Sequence, residues 1–415
     1  MLRTLMIACA FAALAPAAMA ETLDEATQSA LDGNPNLASA RARLNATREQ
    51  LPQAWAEAFP SISASAGADA SSGDGGDDES WSAGLNASQL LFGGGRVLAS
   101  TRQARANIAG AVADFTDTTQ QLVLDVAAAY AGVRQTQAVV AARETTVANL
   151  TRQFEYATAQ FDAGLVTRTD VAQSQARLAQ ARTQLTQAQG QLSSAIEAYI
   201  RLVGHPPSDL QPPPTAPGLP ANLQEALDRA AESSPVLIGA QAAALAADAG
   251  VDLTRSSFLP NVSLSAGTNI SGDFDDGDDF QSESVGVRMS WQLFNGGLNL
   301  SRSRQARQLR NAATFDVASA ERAVREEVTT SWTGLESARA AVVSAREQVE
   351  AAELAYQGIR LEQETGLRST IDVLIQEQDL LDARLALAAA ERDLVVAERQ
   401  MLASMGALVA PPQDD

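Results

Sequence analysis

The chain has 415 residues, 50 acidic and 30 basic, for a formal net charge of −20. That balance repels phosphate backbones and excludes nucleic acid as a partner. A hydrophobic share of 46%, spread with sustained periodicity, excludes a disordered polyanion.

Residues 1–20 have the build of a secretory signal: Arg3, then an apolar run from Leu5 to Leu14, then Ala18-Met19-Ala20 before Glu21. Cys9 is the only cysteine and lies inside that run, too early for a lipid-attachment site. The processed chain is therefore expected to hold neither a disulfide nor a thiolate metal site. No later stretch has the length of unbroken apolar residues that a transmembrane helix needs. Thr22 to Leu31 reads as a short helix closed by Gly33-Asn34-Pro35, and a second helix runs from Asn36 to about Ala58, before Pro60.

The period then changes to two. Ile62, Ala64, Ala66 and Ala68 alternate with serines and Gly67; after a Gly/Ser/Asp-rich loop from Ala70 to Glu79, Trp81, Ala83, Leu85 and Ala87 alternate with Ser82, Gly84, Asn86 and Ser88. Strands are expected at about 61–69 and 80–92, each with one apolar and one wet face. Gly93-Gly94-Gly95 allows a sharp turn into the next element. From Arg96 to Asp162 there is no proline, and Val126, Val133, Val140, Val147, Phe154 and Phe161 recur every seven residues. This is a coiled-coil seam on a helix about 100 Å long. A turn from Ala163 leads to a return helix with its own seam, Val171, Leu178, Leu185, Leu192 and Tyr199, with Ser174, Ala181, Ala188 and Ala195 at the companion positions. Gly204 closes it, and residues 205–220 form a proline-rich linker.

The whole pattern then repeats. Val328, Leu335, Val342, Val349 and Tyr356 restate the seam 202 positions on (328 − 126), and Arg304-Gln305-Ala306-Arg307 restates Arg102-Gln103-Ala104-Arg105. The first copy is assigned to residues 21–204 and the second to 221–406, with a tail at 407–415. In the second copy strands are expected at about 261–270 and 283–294, separated by an acidic loop from Asp273 to Glu283, with a long helix at about 298–365. Duplication decides the architecture: helix, strand, strand, long helix, turn, helix, twice over. Four strands with apolar outer faces cannot close in lipid, where an open edge is forbidden. A barrel needs about eight or more, so it must be shared between chains.

The secretory signal, the duplication, the Leu-Phe-x-Gly-Gly junctions and the Gly-Leu-x-x-x-Thr-Asp-Val turn together resemble the TolC family of outer-membrane channels. The resemblance covers nearly the whole chain after the signal. It implies an α+β membrane protein: a homotrimer sharing a twelve-stranded outer-membrane β-barrel, continuous with a long α-helical coiled-coil barrel in the periplasm. It also implies an exit duct for efflux or type I secretion that works with a periplasmic adaptor and an inner-membrane ABC or proton-driven (RND) transporter. The energy comes from the partner, in keeping with the absence of a phosphate-binding Gly-x-x-x-x-Gly-Lys loop.

By the same resemblance the periplasmic gate lies at the turns. Asp170 and Arg368 match positions that tie neighbouring helices shut, and Thr169 and Asp372 match further entrance positions. Two departures thin that network: Gln363 stands where the family has a tyrosine, and Ile375 where it has a second inner aspartate. Adaptor tips would meet Gly164, Leu165, Gly366 and Leu367. From the residues alone, Thr167-x-x-Asp170 and Ser369-x-x-Asp372 equally fit capping boxes, the glycines fit plain helix-terminating turns, and Arg168 and Arg368 fit solvated side chains.

The acidic loops read as exposed extracellular loops, without a full calcium-loop signature. Trp81 and Trp291 suit an interfacial aromatic belt or barrel-wall packing. No catalytic, cofactor or metal site is expected: the one histidine, His205, sits in the linker. The competing reading is a secreted periplasmic coiled-coil scaffold without a pore, which has no need of lipid-facing strands. The sequence does not name the cargo.

Overall fold

The computed structural model describes residues 20–73, 76–274 and 279–409. Residues 1–19 of the expected signal, Cys9 among them, residues 275–278 of the second acidic loop and residues 410–415 of the tail lie outside the described residues.

In chain order the elements are α1 (Leu23–Gly33), α2 (Pro35–Arg48), α3 (Gln50–Ala56), β1 (Ser61–Gly73), β2 (Gly76–Phe92), α4 (Arg96–Asp162), α5 (Arg168–Val203), α6 (Leu223–Ser233), α7 (Pro235–Ser256), β3 (Asn261–Asp273), β4 (Asp279–Ser290), α8 (Leu298–Glu364) and α9 (Thr370–Ser404). They divide into two compact units, one of Met1–Pro35, Gln121–Leu219 and Thr330–Ala403, the other of Asn36–Gln120, Pro220–Thr329 and Ser404–Asp415.

The second of these units holds the sheet. Its four strands pair antiparallel in the order β1-β2-β3-β4. Registered rows follow from the period-two pattern. Ile62, Ala87, Ala266 and Val285 lie side by side, and Gln89, Leu264 and Val287 form a neighbouring row on the same face. Between them, on the opposite face, run Ser61, Ser88, Ser265 and Gly286, with Ser63, Asn86, Gly267 and Ser284 beyond the Ile62 row. At Gly84 on that face a Cβ would come within 2.9 Å of Asn269 Oδ1, the tip of a side chain that can move aside, and 3.3 Å of Thr268 O. The apolar face is bare: Ile62 is 76% exposed, Val285 81% and Val287 66%. Within the chain β1 and β4 each pair on one side only.

Three strand expectations need correction. β4 begins at Asp279, inside the acidic loop expected from Asp273 to Glu283. Of the loop expected at Ala70–Glu79, residues 74–75 lie outside the described residues and the rest is strand: the ladder continues through Ala70↔Glu79 and Ser71↔Asp78 to Gly73↔Gly76. Backbone pairing runs on there although side-chain alternation has stopped, because the ladder bonds belong to the main chain. At the other end β4 stops at Ser290, short of the expected 294, and Trp291–Phe294 lies beyond the sheet. Its last partner is Asn261, and the preceding Pro260 has no N–H to extend the ladder.

The expected helix from Asn36 to Ala58 is two helices, broken at Glu49. Pro52 accounts for the break, since its missing N–H suits a first turn and not a helix interior. In the entry helices the copies lie 200 positions apart, Leu223, Glu225 and Ala226 answering Leu23, Glu25 and Ala26, so Asp252 stands at the matching place, and α7 runs unbroken from Pro235 to Ser256. By composition alone Leu223–Ser256 is apolar enough to cross a membrane. It is nevertheless two helices, separated at Ser234, whose backbone is extended. Gly94 sits where only glycine fits: φ is +59°, and a Cβ would meet Leu259 Cβ at 2.7 Å and Ser256 O at 2.8 Å.

The other unit holds both helix reversals. Its seam residues Val126, Val133 and Leu335 are fully buried. Further along, Leu150, Leu178, Ala181 and Leu374 form one cluster from α4, α5 and α9, flanked by Val147 and Phe154. Val342, Ala345 and Ala390 form another from α8 and α9. Alanine at alternate seam positions lets the helices approach closely.

The proline-rich linker is fastened at two places. Glu21 exchanges backbone bonds with it, N–H to Asp209 O at 3.1 Å and O from Gln211 N–H at 3.0 Å. The Glu21 carboxylate accepts from Tyr199 Oη at 2.5 Å and Ser208 N–H at 3.1 Å. Tyr130 Oη donates to the carbonyls of Glu21 and Gln211, and burial pushes its pKa up to about 12. Further along the linker, the buried Glu398 accepts from Ala216 N–H at 3.0 Å and from Arg399, which also donates to Pro214 O. A buried ion pair holds only when its remaining groups are satisfied, and the linker carbonyl and amide do that here.

Candidate periplasmic gate and docking turns

The two helix reversals are built alike. At the end of α4 the N–H of Gly164 bonds Phe161 O and that of Leu165 bonds Gln160 O, both at 2.9 Å; at the end of α8 Gly366 bonds Gln363 O and Leu367 bonds Glu362 O, again at 2.9 Å. These are glycine-terminated helix ends of the Schellman type. Gly164 has φ +74° and Gly366 φ +80°, values that disfavour any side chain. The next residue is left pointing outward: Leu165 is 73% exposed and Leu367 77%.

The first return helix starts on a capping box, and the second has the same carboxylate bonds at its start. Asp170 Oδ2 accepts from Thr167 N–H at 2.9 Å and Thr167 Oγ1 at 2.7 Å. Asp372 Oδ2 accepts from Ser369 N–H at 3.0 Å and Ser369 Oγ at 2.7 Å. These bonds hold the pKa of both carboxylates below the usual aspartate value, with Arg368 a smaller contributor at Asp372. A first-turn carboxylate also faces the positive end of the helix dipole.

Thr169 is exposed beside this cap. Gln363 is buried and donates to Thr370 Oγ1 at 3.4 Å, joining α8 to α9 inside the second reversal. Arg368 is not solvated alone: its Nε donates to Glu362 Oε2 at 2.8 Å across the turn, and this bond raises its pKa. Among the described residues no ion pair joins Asp170 to Arg368 within the chain. Each is held inside its own reversal.

Sequence reasoning passed over Glu362, which carries no periodic signal and reaches Arg368 only because the turn folds back. It also passed over Glu377. That carboxylate is buried on α9 and accepts from Asn149 Nδ2 at 2.9 and 3.0 Å, tying α9 to α4.

Comparison with known proteins gives one answer. The outer membrane efflux protein family matches residues 26–205 and 226–407, two stretches that together span most of the chain. Outer membrane efflux protein BepC of Brucella suis is 30% identical over 400 residues, covering 95% of this chain and 87% of the relative. Outer membrane protein TolC of Vibrio cholerae is 28% identical, covering 97% of this chain and 95% of the relative. Among solved structures, the Campylobacter jejuni CmeC outer membrane channel superposes with a TM-score of 0.83 at 15% identity, over 94% of this chain and 87% of that one. The same arrangement of long helices and a short sheet is thus kept where sequence identity is low. The chain belongs to the outer membrane efflux protein family.

Proposed function

We propose that three copies of this chain pool their strands into one twelve-stranded barrel, continuous with a helical conduit that reaches into the periplasm. The protein is an outer-membrane exit duct of an efflux or type I secretion system, and it conducts substrate passively. The observation that carries the assembly is the sheet. Four strands are too few to enclose a lumen; both edges are free; one face is aliphatic and exposed, and the other is serine and glycine. Lipid against the first face, water against the second, and the edge of β4 against β1 of the next copy would satisfy all three at once.

Each chain would contribute two repeats, 21–204 and 221–406, joined by the linker at 205–220, after removal of a signal at 1–20. The turns are read as the periplasmic end. Thr169, Asp170, Gln363, Arg368 and Asp372 would form the closable entrance. Gly164, Leu165, Gly366 and Leu367, with two exposed leucines on matching turns, would receive a periplasmic adaptor serving an inner-membrane ABC or RND transporter.

The chain carries no cysteine outside the expected signal, which makes the assembly testable by cross-linking. A cysteine at Ser65 on β1, combined in turn with one at Ser282, Ser284, Gly286 or Ser290 on β4, is expected to give a disulfide ladder that ends at three chains in membranes. A protein that stays in the aqueous fraction, or that gives no adduct at any of the four registers, would favour the pore-free scaffold.

A further inference from the structure

Between α4, two to four turns before its end, and the last turns of α8 lies a cavity of about 300 Å³, lined by Asn149, Arg152, Gln153 and Tyr156 from one helix and by Tyr356, Arg360, Gln363 and Glu364 from the other. Its polar groups are mostly donors. Gln153 Nε2 is buried and meets no acceptor among the described residues. A buried donor without an acceptor is costly and calls for a partner. Tyr156 Oη accepts from Gln160 Nε2 at 2.8 Å and keeps its own hydrogen to give. Arg152 donates to Asn149 Oδ1 at 2.5 Å, and Asn149 is itself held by the buried Glu377. The guanidinium is thus oriented by a chain of bonds from α9. Arg360 stands 3.8 Å from Glu364, too far for a good hydrogen bond. Burial, then Glu377, push Tyr356 up to about 12, so its O–H stays on and serves Glu377.

The carboxylates of the neighbourhood are therefore Glu377, already saturated from within, and Glu364, loosely engaged. Two arginines and a tyrosine hydroxyl are left facing one small space, with the unmet amide of Gln153 buried in its wall. The geometry points to a binding site for a small soluble oxyanion, a phosphate or a carboxylate, whose oxygens accept from Gln153, Arg152, Arg360 and Tyr156. Arginine suits such groups because its fork matches two oxygens at once. Bound there, the anion bridges α4 to α8 close to both reversals. The inference stands whether or not the turns act as a gate.

The test uses the full-length protein purified in detergent, titrated with inorganic phosphate or citrate at fixed ionic strength, with chloride as control. A saturable heat of binding and a rise in melting temperature are expected with one or both anions; which of them binds separates the phosphate from the carboxylate source. Arg152→Gln with Arg360→Gln should weaken binding at least tenfold. Gln153→Leu replaces the unmet donor with an apolar group and should leave folding intact while binding drops. Arg346→Gln, whose arginine pairs with Glu391 elsewhere on α8, should bind as the parent does. No saturable response to either anion, or equal binding in the Gln153→Leu protein, would overturn the site.

Discussion

A carboxylate at the third position of a helix can serve its own helix, a neighbour, or both, and Asp170 shows how the choice is made. Its Oδ2 is already occupied twice by Thr167. The charged form is the one these bonds favour, so the pKa falls. The consequence for pH has a definite sign. A lowered folded value means that the cap contributes fully above the ordinary aspartate pKa of 3.8 and is lost as pH falls through the lower folded value. Asp170→Asn should leave Thr167 Oγ1 and N–H with a poorer acceptor. Amide exchange at the start of α5 should speed up at neutral pH and lose its acid dependence, as read by hydrogen–deuterium exchange; unchanged exchange would mean that the cap carries no weight. This role was legible from Thr167-x-x-Asp170 alone, because a capping box is a local motif. Glu362 was not legible, since its partner Arg368 lies beyond a chain reversal that no local spacing encodes.

At the scale of elements, the strands separate what pattern can show from what pairing adds. The alternation at Val285, Val287 and Met289 fixed which face would be apolar, and the bare exposure of those residues agrees with it. The ends were not legible. Ladder bonds carried β1 and β2 through a run of serine, glycine and aspartate, while Pro260 cut β4 short of Trp291. The break at Glu49 had the same kind of cause, a proline whose effect depends on where the first turn falls. The two faces make opposite demands. Arginine facing lipid near mid-membrane costs about 2–4 kcal/mol in a barrel, whereas a lumen-facing one costs little stability. Val287→Arg should therefore reduce the amount of heat-modifiable assembled protein in outer-membrane fractions, and Ser265→Arg, from the adjacent row on the opposite face, should assemble normally. Equal loss in both would mean that the aliphatic face does not meet lipid.

For the molecule as a whole, the duplication predicts two equivalent reversals, and the backbone delivers them: the same glycine-terminated turn, the same carboxylate bonds at the start of the return helix, the same outward leucine. The side chains then break the equivalence. The counterparts of Glu362 and Arg368, 202 positions earlier, are Gln160 and Val166. Gln160 binds Tyr156 on its own helix, so the first reversal has no ion pair of this kind. A ring assembled from three chains would alternate two kinds of turn, one carrying a cation that is already engaged. The proposed entrance needs Arg368 to reach a neighbour, and Glu362 competes for it at 2.8 Å. The two residues should then act with opposite signs in single-channel recordings. Arg368→Ala removes the tie and should raise conductance. Glu362→Gln releases the guanidinium toward the neighbour and should lower it, severalfold at most, because exposed pairs are weak and screened by salt. Both effects should shrink together as salt rises. Conductance that moves the same way in both variants, or in neither, would remove Arg368 from the entrance and leave the pair as a brace of its own turn.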